Sequence, residues 1–223
     1  MKKIKGVIFD LDGTLLDTIQ DIASSVNAVL HQHGLKEYTV QDYKNFVGSG
    51  AKVLIERATV SQDDAVTLPI LNEYKQYYAQ HSADTTVPYP GIPEMLATLS
   101  KDYQLAVLSN KPHSDTEALI QKYFQQIPFC CVYGQRDGFP RKPDPAGILK
   151  IIEEMQLSAD EIAYVGDSEN DILAANNAHV FAIGVLWGFR TKDQIQAAGP
   201  CRAFCQYPSE MIAILEEENR VRQ

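Results

Sequence analysis

Short apolar, β-branched runs recur along the chain, and the later ones are separated by segments with apolar residues at three- and four-residue steps. The runs cover Lys5–Phe9, Gln104–Leu108, Phe129–Tyr133, Ile162–Val165, Val180–Val185 and Arg202–Gln206. The helical patterns cover Ser114–Phe124, Pro145–Met155 and Ser168–Asn177. Strand, helix, strand alternation lays successive strands parallel, with helices covering both faces of the sheet. The expected class is therefore α/β, a doubly wound, mostly parallel sheet. A length of 223 residues fits one such domain, or one domain carrying an insertion.

One stretch breaks the alternation. Between Asp17 and Ala83 the patterns are helical throughout. Ile22, Val26, Val29 and Leu30 make one apolar face, ending at Gly34; Val53, Leu54 and Ala58 make another; Leu71, Tyr74, Lys75 and Tyr78 make a third. The exit, Val87-Pro-Tyr-Pro-Gly91, is rich in residues that stiffen or turn the chain. The chain therefore divides into a Rossmann-like catalytic core, residues 1–16 and 84–223, and an all-helical cap, residues 17–83, inserted after the first strand. With its two crossings close together in space, the cap could act as a lid.

In a doubly wound sheet, ligands bind beyond the carboxyl ends of the strands. The first strand ends in Asp10-Leu-Asp12-Gly13-Thr14, whose two carboxylates point to one side of an extended segment. One can act as a nucleophile and the other can handle a proton. Together they call for a cation such as Mg²⁺ held by oxygen ligands. Taken alone, the pair could be no more than an Asx-turn at a strand end. The later strands end in Ser109-Asn110-Lys111 and in Gly166-Asp167-Ser-Glu-Asn-Asp171, and a loop between them carries Arg141-Lys142-Pro-Asp-Pro145. Four separate regions thus deliver carboxylates, a hydroxyl and a lysine to one rim, with Lys111 there as no more than a balancing charge.

In these motifs, their order and the position of the helical insertion, the chain is similar to the haloacid dehalogenase-like phosphohydrolases. Ser-Asn-Lys-Pro, Lys-Pro-Asp-Pro and Gly184-Val-x-Trp-Gly-Phe-Arg190 most resemble the phosphoglycolate phosphatase branch. The resemblance implies that Asp10 attacks phosphorus to give an aspartyl-phosphate and that Asp12 shuttles the proton. It implies that Mg²⁺ bridges Asp10, Asp167, a phosphate oxygen and the main-chain carbonyl of Asp12. Ser109 and the Asn110 N–H would hold a phosphate oxygen, and Lys142 would neutralise its charge. Asp171 would complete the acidic set around the metal or hold Lys142, and Thr14 would give hydroxyl support.

For the rest of the substrate, the Gly48-Ser49-Gly50 turn and Lys52, with Arg57 nearby, are the cap groups suited to a carboxylate. They could equally be an inter-helix turn followed by exposed charges. The favoured activity is Mg²⁺-dependent hydrolysis of a small phosphomonoester, 2-phosphoglycolate first. A sugar-phosphate phosphatase, a pyrophosphatase or a phosphosugar mutase on the same scaffold are the alternatives.

A formal net charge of −9 disfavours nucleic acid and anionic membranes as partners. No stretch approaches the ~18 apolar residues of a membrane span, and the apolar run after Met1-Lys-Lys-Ile-Lys is too short for a signal peptide. The expected partner is a small phosphorylated metabolite; self-association is open, with a homodimer as the candidate. Cys130, Cys131, Cys201 and Cys205 lack zinc-site spacing, and adjacent Cys130 and Cys131 should point to opposite faces of a strand. Buried free thiols in strands, and hence a cytoplasmic location, are the expectation.

Overall fold

The computed structural model describes residues 2–222. Strand β1 (Gly6–Phe9) is followed by a short β2 (Leu16–Asp17), and four helices then run without a strand between them: α1 (Ile19–Gln32), α2 (Val40–Phe46), α3 (Ala51–Thr59) and α4 (Asp64–His81). The chain returns through β3 (Val87–Pro88) and α5 (Ile92–Leu99) to β4 (Gln104–Pro112), α6 (His113–Phe124), β5 (Phe129–Gln135) and α7 (Ala146–Met155). The second half follows as β6 (Ile162–Gly166), α8 (Glu169–Asn177), β7 (Phe181–Val185), α9 (Lys192–Ala197), β8 (Ala203–Cys205) and α10 (Met211–Val221).

Six strands form one sheet in the order β5-β4-β1-β6-β7-β8, with every pairing parallel. All four residues of the central β1 are buried. Because strand side chains alternate between faces, Val7 and Phe9 join one apolar cluster with Leu105, Val107, Val165 and residues of α5, α6 and α10. Ile8 joins the other, with Ala106, Tyr164 and residues of α7 and α8. Burying such side chains contributes about 1.5–3 kcal/mol each, so continuous apolar runs suit a sheet covered on both sides. The strand order reverses beside β1, which opens a crevice at the carboxyl ends of β1, β4 and β6.

The helical insertion has a core of its own, built from Ile22, Val26 and Leu30 of α1, Tyr43 of α2, Leu54 and Ile55 of α3, and Ile70, Tyr74 and Tyr78 of α4. The sequence periodicity missed α2, a two-turn helix begun by a reciprocal Thr39–Asp42 capping box. Entry and exit are tied together, since β2 pairs antiparallel with β3 (Leu16 with Pro88, Asp17 with Val87). The two crossings therefore do lie side by side.

Strand β4 runs through Ser109–Lys111 to Pro112, beyond the end expected at Leu108, because β5 keeps pairing with it after a shift of register. The cysteine expectation needs correcting. Phe129 pairs with Leu105 and Cys131 with Ala106, so Cys130 is an extra residue in edge strand β5. A bulge of this kind re-aims consecutive side chains, and the Cys130 and Cys131 sulfurs lie 3.7 Å apart instead of on opposite faces. All four thiols are free, but Cys130 is exposed, Cys131 and Cys201 are half-buried, and Cys205 alone is buried.

Candidate active site

The first motif leaves the sheet abruptly. The Asp10 N–H still donates to Val165 in the β6 ladder, and the next carbonyl, of Leu11, accepts from the N–H groups of Thr14, Leu15 and Leu16. Gly13 has φ +86°, and a Cβ there would stand 2.4 Å from an oxygen of Asp167. Only glycine lets the turn close against that carboxylate. Gly188 does the same from the loop after β7, where a Cβ would meet Asp167 and the Gly13 carbonyl at 2.4 Å.

Asp10, Asp167 and Asp171 are all buried and offer oxygens within 4.8 Å of one another. Lys142 reaches into this group from the loop before α7, with Nζ 2.7 Å from both Asp10 and Asp171. Its placement comes from Asn110: the Lys142 N–H donates to Asn110 Oδ1 at 2.9 Å, and Asn110 Nδ2 donates to the Lys142 carbonyl at 3.0 Å. Asp171 is saturated, since it also accepts from the Ser168 N–H and hydroxyl and from Tyr164 Oη. Asp167 accepts the Phe189 N–H at 2.7 Å.

The electrostatics follow from this packing. Burial and the Asp171 charge push Asp10 up to about 7, against the pull of Lys142. Burial and the charges of Asp171 and Asp10 raise Asp167 well above the usual carboxylate range. Burial alone would lower the Lys142 ammonium, but Asp10 and Asp171 override it and hold it well above the usual lysine value.

Asp12 points elsewhere. It stands outside the three-carboxylate group, and its oxygens lie 3.1 and 3.2 Å from Lys111 Nζ. Lys111 in turn lies over the ring of Tyr78 in α4, 4.5 Å from its centroid. Burial lowers the Lys111 ammonium, but the charge of Asp12 leads the effects that raise it overall. The Ser109 hydroxyl is buried beside this group and accepts the Lys111 N–H at 3.2 Å.

These residues enclose a cavity of about 60 Å³ between core and helical insertion. Asp10, Asp12, Ser109, Asn110, Lys142 and Asp167 line it from the core, and Gly48 and Gly50 from the insertion. The Gly48 turn is docked through its carbonyl, which accepts from Asn110 and Asn170, while Arg141 donates to the Ser49 carbonyl. Arg190 donates to the carbonyls of Lys44 and Val47 and pairs with Glu169 at 3.0 Å.

Three expected residues do not line the cavity: Asp171, fully buried against Lys142, and also Lys52 and Thr14. Lys52 is drawn to Asp64 at the start of α4, 2.8 Å away, and to Glu56 at 3.8 Å. Its neighbour Arg57 donates to the carbonyls of Asn45 and Phe46. Thr14 is fully buried, with its hydroxyl unpartnered and its carbonyl accepting from Trp187 Nε1. Sequence reasoning assigned no site role to Tyr74, Lys75, Tyr78, Phe189 or Arg190, all of which line the cavity. A lysine within the apolar stripe of α4 was the one signal that could have found Lys75.

The family model for haloacid dehalogenase-like hydrolases matches residues 7–185. A phosphoglycolate phosphatase of Psychrobacter arcticus is 32% identical over 94% of this chain and 95% of its own length. One from Agrobacterium fabrum is 39% identical over 85% of this chain and 83% of its own. A crystal structure from Lactobacillus delbrueckii subsp. bulgaricus superposes with a TM-score of 0.85 at 33% identity, covering 96% of this chain and 98% of that one. A predicted phosphoglycolate phosphatase from Haemophilus somnus superposes with a TM-score of 0.88 at 27% identity, over 96% and 99% of the two chains. With the motifs ordered around one crevice and the match spanning most of its length, this chain belongs to the haloacid dehalogenase-like hydrolases, on their phosphoglycolate phosphatase-like branch.

Proposed function

We propose that the protein hydrolyses a small phosphomonoester, 2-phosphoglycolate foremost, through an aspartyl-phosphate on Asp10, with Mg²⁺ as cofactor. The observation that carries this reading is the buried group of Asp10, Asp167 and Asp171 with a single ammonium, Lys142, between two of its members. Lys142 and the surrounding donors occupy Asp171, while Asp10 and Asp167 keep mutual repulsion. That donor set suits a hard cation with oxygen ligands. Asp10, Asp167 and the Asp12 main-chain carbonyl would hold it. When bound there, Mg²⁺ neutralises the carboxylates and withdraws charge from a phosphoryl oxygen.

The chain's own groups do the rest. An Asp10 oxygen attacks phosphorus, the bond to the ester oxygen breaks, and Asp12 gives its proton to the departing alkoxide. Asp12 then takes a proton from the water that attacks the phosphoaspartate, which frees inorganic phosphate and restores Asp10. Lys142 balances charge on the transferred group, and the Ser109 hydroxyl donates to one of its oxygens. Asp171 is the positioning residue for Lys142. The segment 17–83 works as the lid, with the β2–β3 pair as its hinge.

The activity named for the relatives supports 2-phosphoglycolate as substrate, and a small cavity whose lining includes Lys75, Lys111, Lys142 and Arg190 suits a compact anion bearing both a phosphate and a carboxylate. A cytoplasmic setting fits the free thiols; among the described residues no helix is long and apolar enough to cross a membrane. The test is phosphate release from 2-phosphoglycolate, sugar phosphates and pyrophosphate, by wild type and by Asp10→Asn. Asp10→Asn should lose at least about a thousandfold in kcat, because nucleophile and metal act as a unit. A variant retaining a tenth of the activity would overturn the mechanism. Phosphate transfer between sugars without release would instead identify a mutase.

A further inference from the structure

The proposed reaction places the ester oxygen at Asp12, the group that protonates it. Whatever the substrate carries beyond that oxygen therefore lies past Asp12, away from Asp10 and Lys142. The first side chain there is Lys111, in contact with both Asp12 oxygens. Tyr78 covers it, and Tyr74 stacks on Tyr78 with centroids 5.5 Å apart. Both tyrosines are buried.

Lys75 belongs to the same wall. It follows Leu71 by four residues and precedes Tyr78 by three, so it shares their side of α4. That stripe is otherwise apolar and aromatic, and its residues Leu71, Tyr74 and Tyr78 are buried in the insertion's core. Lys75 itself is exposed and lines the cavity. Lys52 is engaged by Asp64 and Glu56, but among the described residues no carboxylate forms an ion pair with Lys75. Asp115 of α6 also lines this end of the cavity, within the influence of both Lys111 and Lys75.

We propose that Lys75 of the helical insertion and Lys111 of the core form a second anion subsite, which receives a carboxylate carried by the substrate's leaving group. The geometry gives the reason. Lys75 from the insertion and Lys111 from the core both line the cavity on the side of Asp12, and two ammonium groups there favour a leaving group that carries a negative charge over a neutral one. The subsite spans both parts of the chain, so a substrate that fills it also holds the insertion down on the core. This inference rests on the phosphomonoesterase reading above and deepens it to substrate choice.

The test compares kcat/KM for 2-phosphoglycolate with that for p-nitrophenyl phosphate, whose leaving group carries no carboxylate, in wild type, Lys75→Met and Lys75→Arg. The aryl ester also reports folding and phosphate chemistry in each variant. Lys75→Met should lower the ratio of the two constants by about tenfold or more, the worth of one charge-assisted hydrogen bond. The change should come mainly through KM for 2-phosphoglycolate, and Lys75→Arg should keep most of the ratio. Lys111→Met should depress both substrates, because Asp12 loses its partner, and should lower the ratio as well. An unchanged ratio in Lys75→Met, with wild type turning over both substrates, would overturn the subsite alone. A wild type that hydrolyses the aryl ester and not 2-phosphoglycolate would overturn the substrate reading and the subsite with it.

Discussion

Replacing Asp21 with alanine should destabilise the protein by about 3–4 kcal/mol, a magnitude set by which of its partners can reach water. Asp21 stands buried in the first turn of α1. Its carboxylate accepts the Thr85 N–H at 3.0 Å on each oxygen, the Thr85 hydroxyl at 2.5 Å, and the Thr86 N–H and hydroxyl at 2.8 Å. Thr85 is exposed, so its two donors can turn to solvent. Thr86 is 3% exposed, so its two donors would be stranded. Each stranded buried donor costs about 1–3 kcal/mol. Asp21→Asn keeps one acceptor oxygen and should cost roughly half as much as alanine.

The same bonds give a pH signature. Burial raises the Asp21 carboxyl, but the Thr85 and Thr86 donors outweigh it and hold the group below the usual carboxylate range. A depressed folded pKa means that the stabilisation is complete above the unfolded value of about 3.9 and is lost as pH falls through the folded value. Wild type should therefore lose this increment on acidification below about pH 4, and Asp21→Asn should not. Urea unfolding at neutral and acid pH, with hydrogen exchange at the Thr86 amide, measures both effects. A loss under about 1 kcal/mol for Asp21→Ala would refute the reasoning, because it would mean the Thr86 donors find other partners. Ile22, the next residue, lines the cavity, so a loosened tie should also raise KM.

The other expectations concern the charged centre. Lys142→Met removes the cation between Asp10 and Asp171 and should lower metal-free stability by about 3–5 kcal/mol, with phosphatase activity falling by orders of magnitude; unfolding curves and phosphate release measure the two losses. Excess chelator should abolish activity and Mg²⁺ should restore it. Mg²⁺ at a hundred times its dissociation constant should stabilise the native state by about 2.7 kcal/mol. A thermal shift seen in wild type and absent in Asp167→Asn would assign the ligand.

How far the sequence could be read depended on range. Asp10, Asp12, Ser109, Lys142, Asp167 and Asp171 were legible because each follows a buried run or sits at a fixed offset from one, and strand ends converge in a doubly wound sheet. Lys52 was not correctly legible. Its partner Asp64 is twelve residues away on another helix, and periodicity does not report which helix ends meet. Lys75 was visible in the stripe of α4, but only the packing of α4 over β4 turns that stripe toward the cavity. Cys130 went astray because a register shift against β4 leaves no mark in local composition.

The sequence by itself determined the class of the fold, the order of its motifs and the chemistry those motifs can perform. These follow from local hydrophobic periodicity and from residue types that carry their own charge and nucleophilicity. Tertiary structure alone decided the division of labour among the carboxylates. Asp171 is consumed by Lys142, Ser168 and Tyr164, Asp12 is claimed by Lys111, and Asp10 shares Lys142 while standing within 4.8 Å of Asp167. Charges interact through space at a strength set by distance and burial, and neither is a property of position along the chain.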